Sequence, residues 1–142
     1  MSVYYKEKAE YLKLALDSII NQTLKPNEIV LVQDGKLTNE LQAVITDYLQ
    51  KYSYIFKTYA LKQNQGLGKA LNFGMQKCSN ELIARMDTDD IAEPNRFELQ
   101  IKEFEQDKEL MLCGGQIAEF ADNPAEITSY RSVPLKHNEI LN

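Results

Sequence analysis

The chain has no tryptophan, a single histidine (His137), two cysteines (Cys78 and Cys113) and no long apolar run. Each shortage removes a class of function. One histidine leaves little material for a histidine-rich metal site or for Ser-His-Asp hydrolysis. Cys78 and Cys113 are far apart in sequence and match no metal-ligand spacing, so they read as buried thiols rather than as a disulfide. The apolar runs fall far short of the roughly 20 residues that a membrane span requires. No basic, apolar and small-residue series opens the chain as in a secretory signal, and a cytoplasmic protein is expected. Basic residues are also in the minority: 16 lysines and arginines against 21 aspartates and glutamates give a net charge of −5. The cations are scattered rather than gathered into a stripe, which excludes a nucleic-acid binder that works by neutralising phosphates.

What is present is a pattern. The 142 residues are 44% hydrophobic and 26% charged, enough for a single domain, 1–142, with a real core. No repeat or low-complexity linker divides it. Short β-like runs alternate with amphipathic helical stretches. Leu12, Leu16, Ile19 and Ile20 recur at helical spacing over residues 9–21, and Pro26-Asn27 ends that helix. Glu28-Ile29-Val30-Leu31-Val32 is a continuous run of the kind found in strands buried on both faces. A second helix is expected over 38–52 and a third strand over 55–61. A turn at 64–68 then leads to a short helix over 69–77. A fourth strand over 81–86, a helix opened by Pro94 with Phe97, Ile101 and Phe104 inward, and a strand over 110–117 complete the series. The first strand, Met1 to Tyr5, is short. Such alternation implies a Rossmann-like α/β architecture, a mostly parallel sheet flanked by helices. Ligands in such sheets sit beyond the carboxyl ends of the strands. Asp34, Asn64 and Asp87 to Asp90 fall there.

The segment Arg85-Met86-Asp87-Thr88-Asp89-Asp90 places three mutually repelling carboxylates within four residues. A solvated acidic loop is one reading. A calcium hand counted from Asp87 fails, because its fifth and sixth positions are Ile91 and Ala92, where an oxygen ligand and a glycine are needed. A hard divalent cation, Mg²⁺ or Mn²⁺, shared between carboxylates and a diphosphate is the third reading. Such an ion would neutralise charge developing on a departing diphosphate. Other nucleotide sites match poorly. The first strand–helix junction, Tyr5-Lys6-Glu7-Lys8, has no glycine for a dinucleotide fold, and Gly66-Leu67-Gly68-Lys69 lacks Walker spacing. A phosphoacceptor domain would want an aspartate ending the third strand, where Ala60-Leu61-Lys62 stands.

Taken in order, several pieces resemble the donor-binding half of family 2 nucleotide-sugar glycosyltransferases of the GT-A fold. They are Leu16 to Thr23, Pro26 to Gly35, Asn64-Gln65-Gly66, Ala70-Leu71-Asn72-Phe73-Gly74, Ala84 to Asp90 and Pro94-Asn95-Arg96-Phe97. The resemblance covers nearly the whole chain. It implies an inverting transfer of a sugar, most simply from a UDP-sugar, to a glycan or lipid-linked acceptor in bacterial surface polysaccharide or lipopolysaccharide synthesis. It further implies that Ser2 and Asp34 meet the nucleobase, that Asp87 approaches the ribose and the metal, and that Asp89 holds the Mn²⁺ or Mg²⁺ with Asp90 in support. Lys69 and Asn72 would face the nucleotide, Lys69 being equally a solvated helix lysine. Gln33 stands where the family usually has a first aspartate. Arg85 and Arg96 are expected to pair with the acidic cluster, since unpaired buried charge is scarce. The family's first strand runs further upstream and its acceptor half continues past Leu141, so a partial chain, truncated at both ends, is expected. The general base would then lie beyond Asn142, with Glu119, Asp122 and Glu126 too early in the family order. Peripheral membrane association of the whole protein and homodimerisation through an open sheet edge are further expectations. The competing reading is a nucleotide-binding or scaffolding module that keeps the fold without catalysis.

Overall fold

The computed structural model describes residues 1–121 and 123–131. These fall into two compact units, Met1–Leu99 and Gln100–Asn142. Asp122 and His137 lie outside the described residues.

The first unit is built on a three-stranded parallel sheet with β2 (Ile29–Gln33) between β1 (Ser2–Val3) and β3 (Phe56–Ala60). Ser2 pairs with Val32, and Gln33 with Ala60. All five β2 residues are buried, and period-two alternation explains why. Ile29 and Leu31 face one way into the main core with Leu12, Leu16 and Ile19 of α1 (Ala9–Ile20) and Leu41, Ile45 and Tyr48 of α2 (Asn39–Lys51). Val32 faces the other way, toward Gly74 of α3 (Leu67–Met75), where a Cβ would stand 3.1 Å from Val32 Cγ2. Helices thus cover both faces, as a parallel sheet requires.

The helices form where their apolar spacing demands. Leu12, Ala15, Leu16 and Ile19 make one buried stripe. Thr38 caps α2 by accepting from Leu41 N at 3.3 Å. The Tyr48 hydroxyl donates to Asp17, joining α2 to α1, and burial followed by the Asp17 contact pushes that phenol well above its ordinary range. Asp17 is also paired with Lys13 at 2.7 Å.

The expected fourth strand is not formed. Residues 82–87 run without a ladder, and Leu82 and Ile83 are about half exposed. They nonetheless take that strand's place. Met1 O and Val3 O accept from Val32 and Asp34 of the β2 side, so the alternating carbonyl of Ser2 points to the opposite edge. Thr88 Oγ1 donates to that Ser2 carbonyl at 3.3 Å. The acidic segment therefore lies along the outer edge of β1, whose two residues offer too little backbone for a regular strand. The open edge on which self-association was expected is covered at Ser2 by Thr88.

Helix α4 (Arg96–Gln106) starts where Pro94 predicts, with Phe97 packed on the core. The strand expected over 110–117 is replaced in the second unit by an antiparallel hairpin, β4 (Ile117–Phe120) and β5 (Ile127–Arg131). Met111 and Leu112 are almost fully exposed, so their apolarity there marks no buried strand. Among the described residues no helix is long and apolar enough to cross a membrane.

Candidate functional site

Strand order places the site. The chain moves from β1 to β2 to β3 and then returns through α3, which packs on β2 and β1, to the far edge of β1. Where the winding reverses, connections diverge and leave a crevice beyond the carboxyl ends of the strands. Ser2, Asp34, the 64–66 turn and the acidic loop meet there. Asp34 N donates to Val3 O at 2.8 Å on one side of β1, and Thr88 meets Ser2 on the other.

Asp34 is only 3% exposed. One carboxylate oxygen accepts from Gln65 N at 2.7 Å and the other from Gly66 N at 3.0 Å. Asn64 Nδ2 donates to its carbonyl at 3.3 Å. Gly66, the residue before α3, has no side chain with which to cap the helix; the Asp34 carboxylate instead takes the N–H groups of the turn that leads into it. Lone pairs remain on both oxygens for a ligand. Gln33 is tied sideways instead, donating to Thr58 Oγ1 at 3.0 Å and accepting from Gln42 at 2.6 Å.

The acidic loop is pinned from three directions, by residues to which the sequence assigned no such role. Upstream, Glu28 accepts from Ser79 N, Ser79 Oγ, Asn80 and Lys57. These bonds, the Ser79 backbone N–H first, hold its carboxyl down at about 2. Downstream, the fully buried Gln22 donates to Glu93 O at 2.7 Å and accepts from Phe97 N at 3.0 Å, while Ser18 Oγ accepts from Ala92 N at 3.0 Å. At the centre, Thr88 is 4% exposed, and its single hydroxyl proton is shared between Ser2 O and Glu7 Oε2, the latter at 3.0 Å. Gln22 and Ser18 belong to the Leu16–Thr23 stretch that carried the family likeness, but only the fold shows what they grip.

Between these anchors the carboxylates are left outward. Asp89 and Asp90 are exposed and Asp87 is half-buried. Arg85 makes a two-pronged ion pair to Asp87, at 2.9 and 2.8 Å. Arg96 grips the segment itself, through Arg85 O at 2.9 Å and Met86 Sδ at 3.2 Å. Partial desolvation, then the charges of Asp89 and Asp87, hold the Asp90 carboxyl above its ordinary range. The loop therefore carries negative charge that its arginines do not fully compensate. Among the described residues no three acidic, histidine or cysteine side chains form a ready cage for a metal. The donor set still fits Mg²⁺ or Mn²⁺, which take one or two carboxylates and fill their remaining positions with phosphate oxygens and water. Lys69 and Asn72 are exposed on α3, and among the described residues no hydrogen bond draws their side chains to the cluster.

Residues 2–141 match the family described as Glycosyl transferase family 2. The chain belongs to that family. It is 45% identical over 141 residues to an uncharacterized glycosyltransferase of Haemophilus influenzae, covering 99% of this chain and 52% of that protein. It is 42% identical over 140 residues to the amylovoran biosynthesis glycosyltransferase AmsE of Erwinia amylovora, covering 99% and 51%. Identity is 38% over 141 residues to the Escherichia coli UDP-Gal:alpha-D-GlcNAc-diphosphoundecaprenol beta-1,3-galactosyltransferase, covering 99% and 50%. This family 2 chain thus spans about half the length of these relatives. Among solved structures, S. aureus TarS 1–349 in complex with UDP aligns at a TM-score of 0.61 and 22% identity, over 74% of this chain and 31% of that one. The Pyrobaculum calidifontis mannosyltransferase PcManGT in complex with GDP-Man and Mn²⁺ aligns at 0.56 and 22%, over 69% and 29%. Those likenesses establish the fold of the family 2 chain as GT-A.

Proposed function

We propose that this family 2 chain holds the nucleotide-sugar donor of a metal-dependent, inverting glycosyltransferase. The observation that carries the reading is the meeting, at the carboxyl end of β1, of Asp34 with its 64–66 turn on one side and the acidic loop on the other. Ser2 and Asp34 are assigned to the base, Asp87 to the ribose, and Asp89, with Asp87, to Mn²⁺ or Mg²⁺. Asp90 supports the loop, and Lys69 and Asn72 are the residues of α3 assigned to the nucleotide. When bound, the ion supplies a positive charge that stabilises the departing diphosphate. The chain's own residues position the donor and keep two carboxylates turned outward.

Support for a UDP-sugar comes from the E. coli relative named for UDP-Gal and from the UDP complex of TarS. The names of AmsE and of that E. coli enzyme favour an acceptor of bacterial surface polysaccharide, lipid-linked in the second case, reached at the inner face of the membrane. None of the described carboxylates is assigned as the base. Glu119 is held below the ordinary carboxylate range by Ser129 and then Arg131, a poor state for a group that must take a proton near neutral pH. Glu126 accepts from Asn123 at 3.0 Å. We assign the base to the part of the whole protein beyond Asn142.

Calorimetric titration with UDP in the presence of Mn²⁺ tests the reading. Binding is expected to require the metal and to weaken by more than about tenfold in Asp89→Ala. Binding that Asp89→Ala leaves untouched would sink it and favour a scaffolding module.

A further inference from the structure

The acidic loop poses a mechanical question: what keeps Asp87 and Asp89 pointing outward when like charges tend to spread the loop? Between them Thr88 is turned inward, 4% exposed, and its hydroxyl lies 3.3 Å from Ser2 O and 3.0 Å from Glu7 Oε2. Glu7 is itself fixed. Its second oxygen accepts from Lys8 N at 2.8 Å at the start of α1, and its own N–H donates to Tyr4 O at 3.0 Å. Residues 82–87 have no ladder to β1, so the threonine hydroxyl supplies the hydrogen bond that fastens the acidic loop to the sheet.

We propose that Glu7 and Thr88 are positioning residues of this site, setting the direction and spacing of Asp87 and Asp89 toward a divalent cation and its diphosphate; the proposal rests on the nucleotide-sugar reading above. The choice of a carboxylate as partner is informative. A fourth acid beside three others adds repulsion, and a neutral acceptor would hold the loop with less of it. A hydroxyl–carboxylate bond is stronger than a neutral one, and the added negative charge deepens the field that a cation meets. Glu7 thereby couples α1, the β1–α1 loop and the acidic loop at one point.

The test is the Mn²⁺ concentration that half-saturates nucleotide binding by the full chain, read by calorimetry with UDP and with GDP. Thr88→Val keeps the shape and deletes the donor. It is expected to raise that concentration about ten- to hundredfold, and Thr88→Ser is expected to restore most of the loss. Glu7→Ala removes one of the two contacts that Thr88→Val removes, so it is expected to act in the same direction and more weakly, and the double variant to be little worse than Thr88→Val alone. Should Thr88→Val unfold, Glu7→Ala leaves the buried threonine in place and decides the matter alone. Wild-type metal dependence in Thr88→Val or in a folded Glu7→Ala chain, with Asp89→Ala still losing binding, overturns the positioning role and leaves the donor site standing. An Asp89→Ala chain that binds normally, or a wild-type chain that binds neither nucleotide, removes both.

Discussion

At the residue scale, Gly35 is the glycine whose identity the fold constrains most tightly. Its φ is 87°, in the left-handed region, and a Cβ would stand 2.6 Å from Asn64 N. Strain and overlap act together there, because β2 ends against the very turn that Asp34 holds. Gly35→Ala is expected to cost about 2–4 kcal/mol, read as a lower urea midpoint. Gly68→Ala is a control of opposite sign. Gly68 lies in α3 with open space around it, so alanine should stabilise by about 0.5 kcal/mol through the unfolded chain. The same corner shows what a sequence conceals. Asp34 was legible as an aspartate ending a buried strand, but not its grip on Gln65 and Gly66. A carboxylate awaiting a ligand and one bonded to its own backbone look alike until the 64–66 turn is brought beside it.

At the element scale, the stretch from Ser79 to Phe97 was read correctly for place and wrongly for form. Leu82-Ile83-Ala84 is apolar, and apolarity without a partner does not specify pairing. The acid cluster and Pro94 were visible as motifs. Glu28, Gln22 and Ser18 sat inside stretches that carried the family likeness, but their role as anchors, like that of Glu7, was not visible, because each acts across a long separation in sequence. Glu28 gives this element a pH dependence. Its carboxyl is lowered from 4.5 to about 2, so its contribution is fully present above about 4.5 and is lost as pH falls toward about 2. Denaturant melts across that interval should show stability falling with pH, and Glu28→Gln should flatten the fall. At neutral pH the variant should be weaker by about 1–2 kcal/mol, with the loss localised to residues 79–80 in hydrogen exchange.

At the scale of the whole molecule, the alternation of strand and helix made the order β1-α1-β2-α2-β3-α3 legible, and with it the reversal at which the site forms. The second unit was not legible in this way. Its hairpin, Ile117–Phe120 with Ile127–Arg131, is turned by Asn123, whose carbonyl accepts from Glu126 N at 2.9 Å and whose side chain accepts from Ala125 N at 3.1 Å. Its β5 residues are all exposed, so no inward-outward alternation announced it. The division into two units carries a prediction of its own. A ligand that binds only the native state stabilises it by about 2.7 kcal/mol at a hundredfold excess over its dissociation constant, and the residues proposed for the donor site all lie in Met1–Leu99. Mn²⁺ with UDP should therefore slow hydrogen exchange around residues 34–36, 64–69 and 86–92 while leaving 117–131 unchanged, and a chelator should reverse the effect. Equal protection in the hairpin would count against a site confined to those segments. Protection by UDP undiminished by the chelator would remove the metal from the acidic loop.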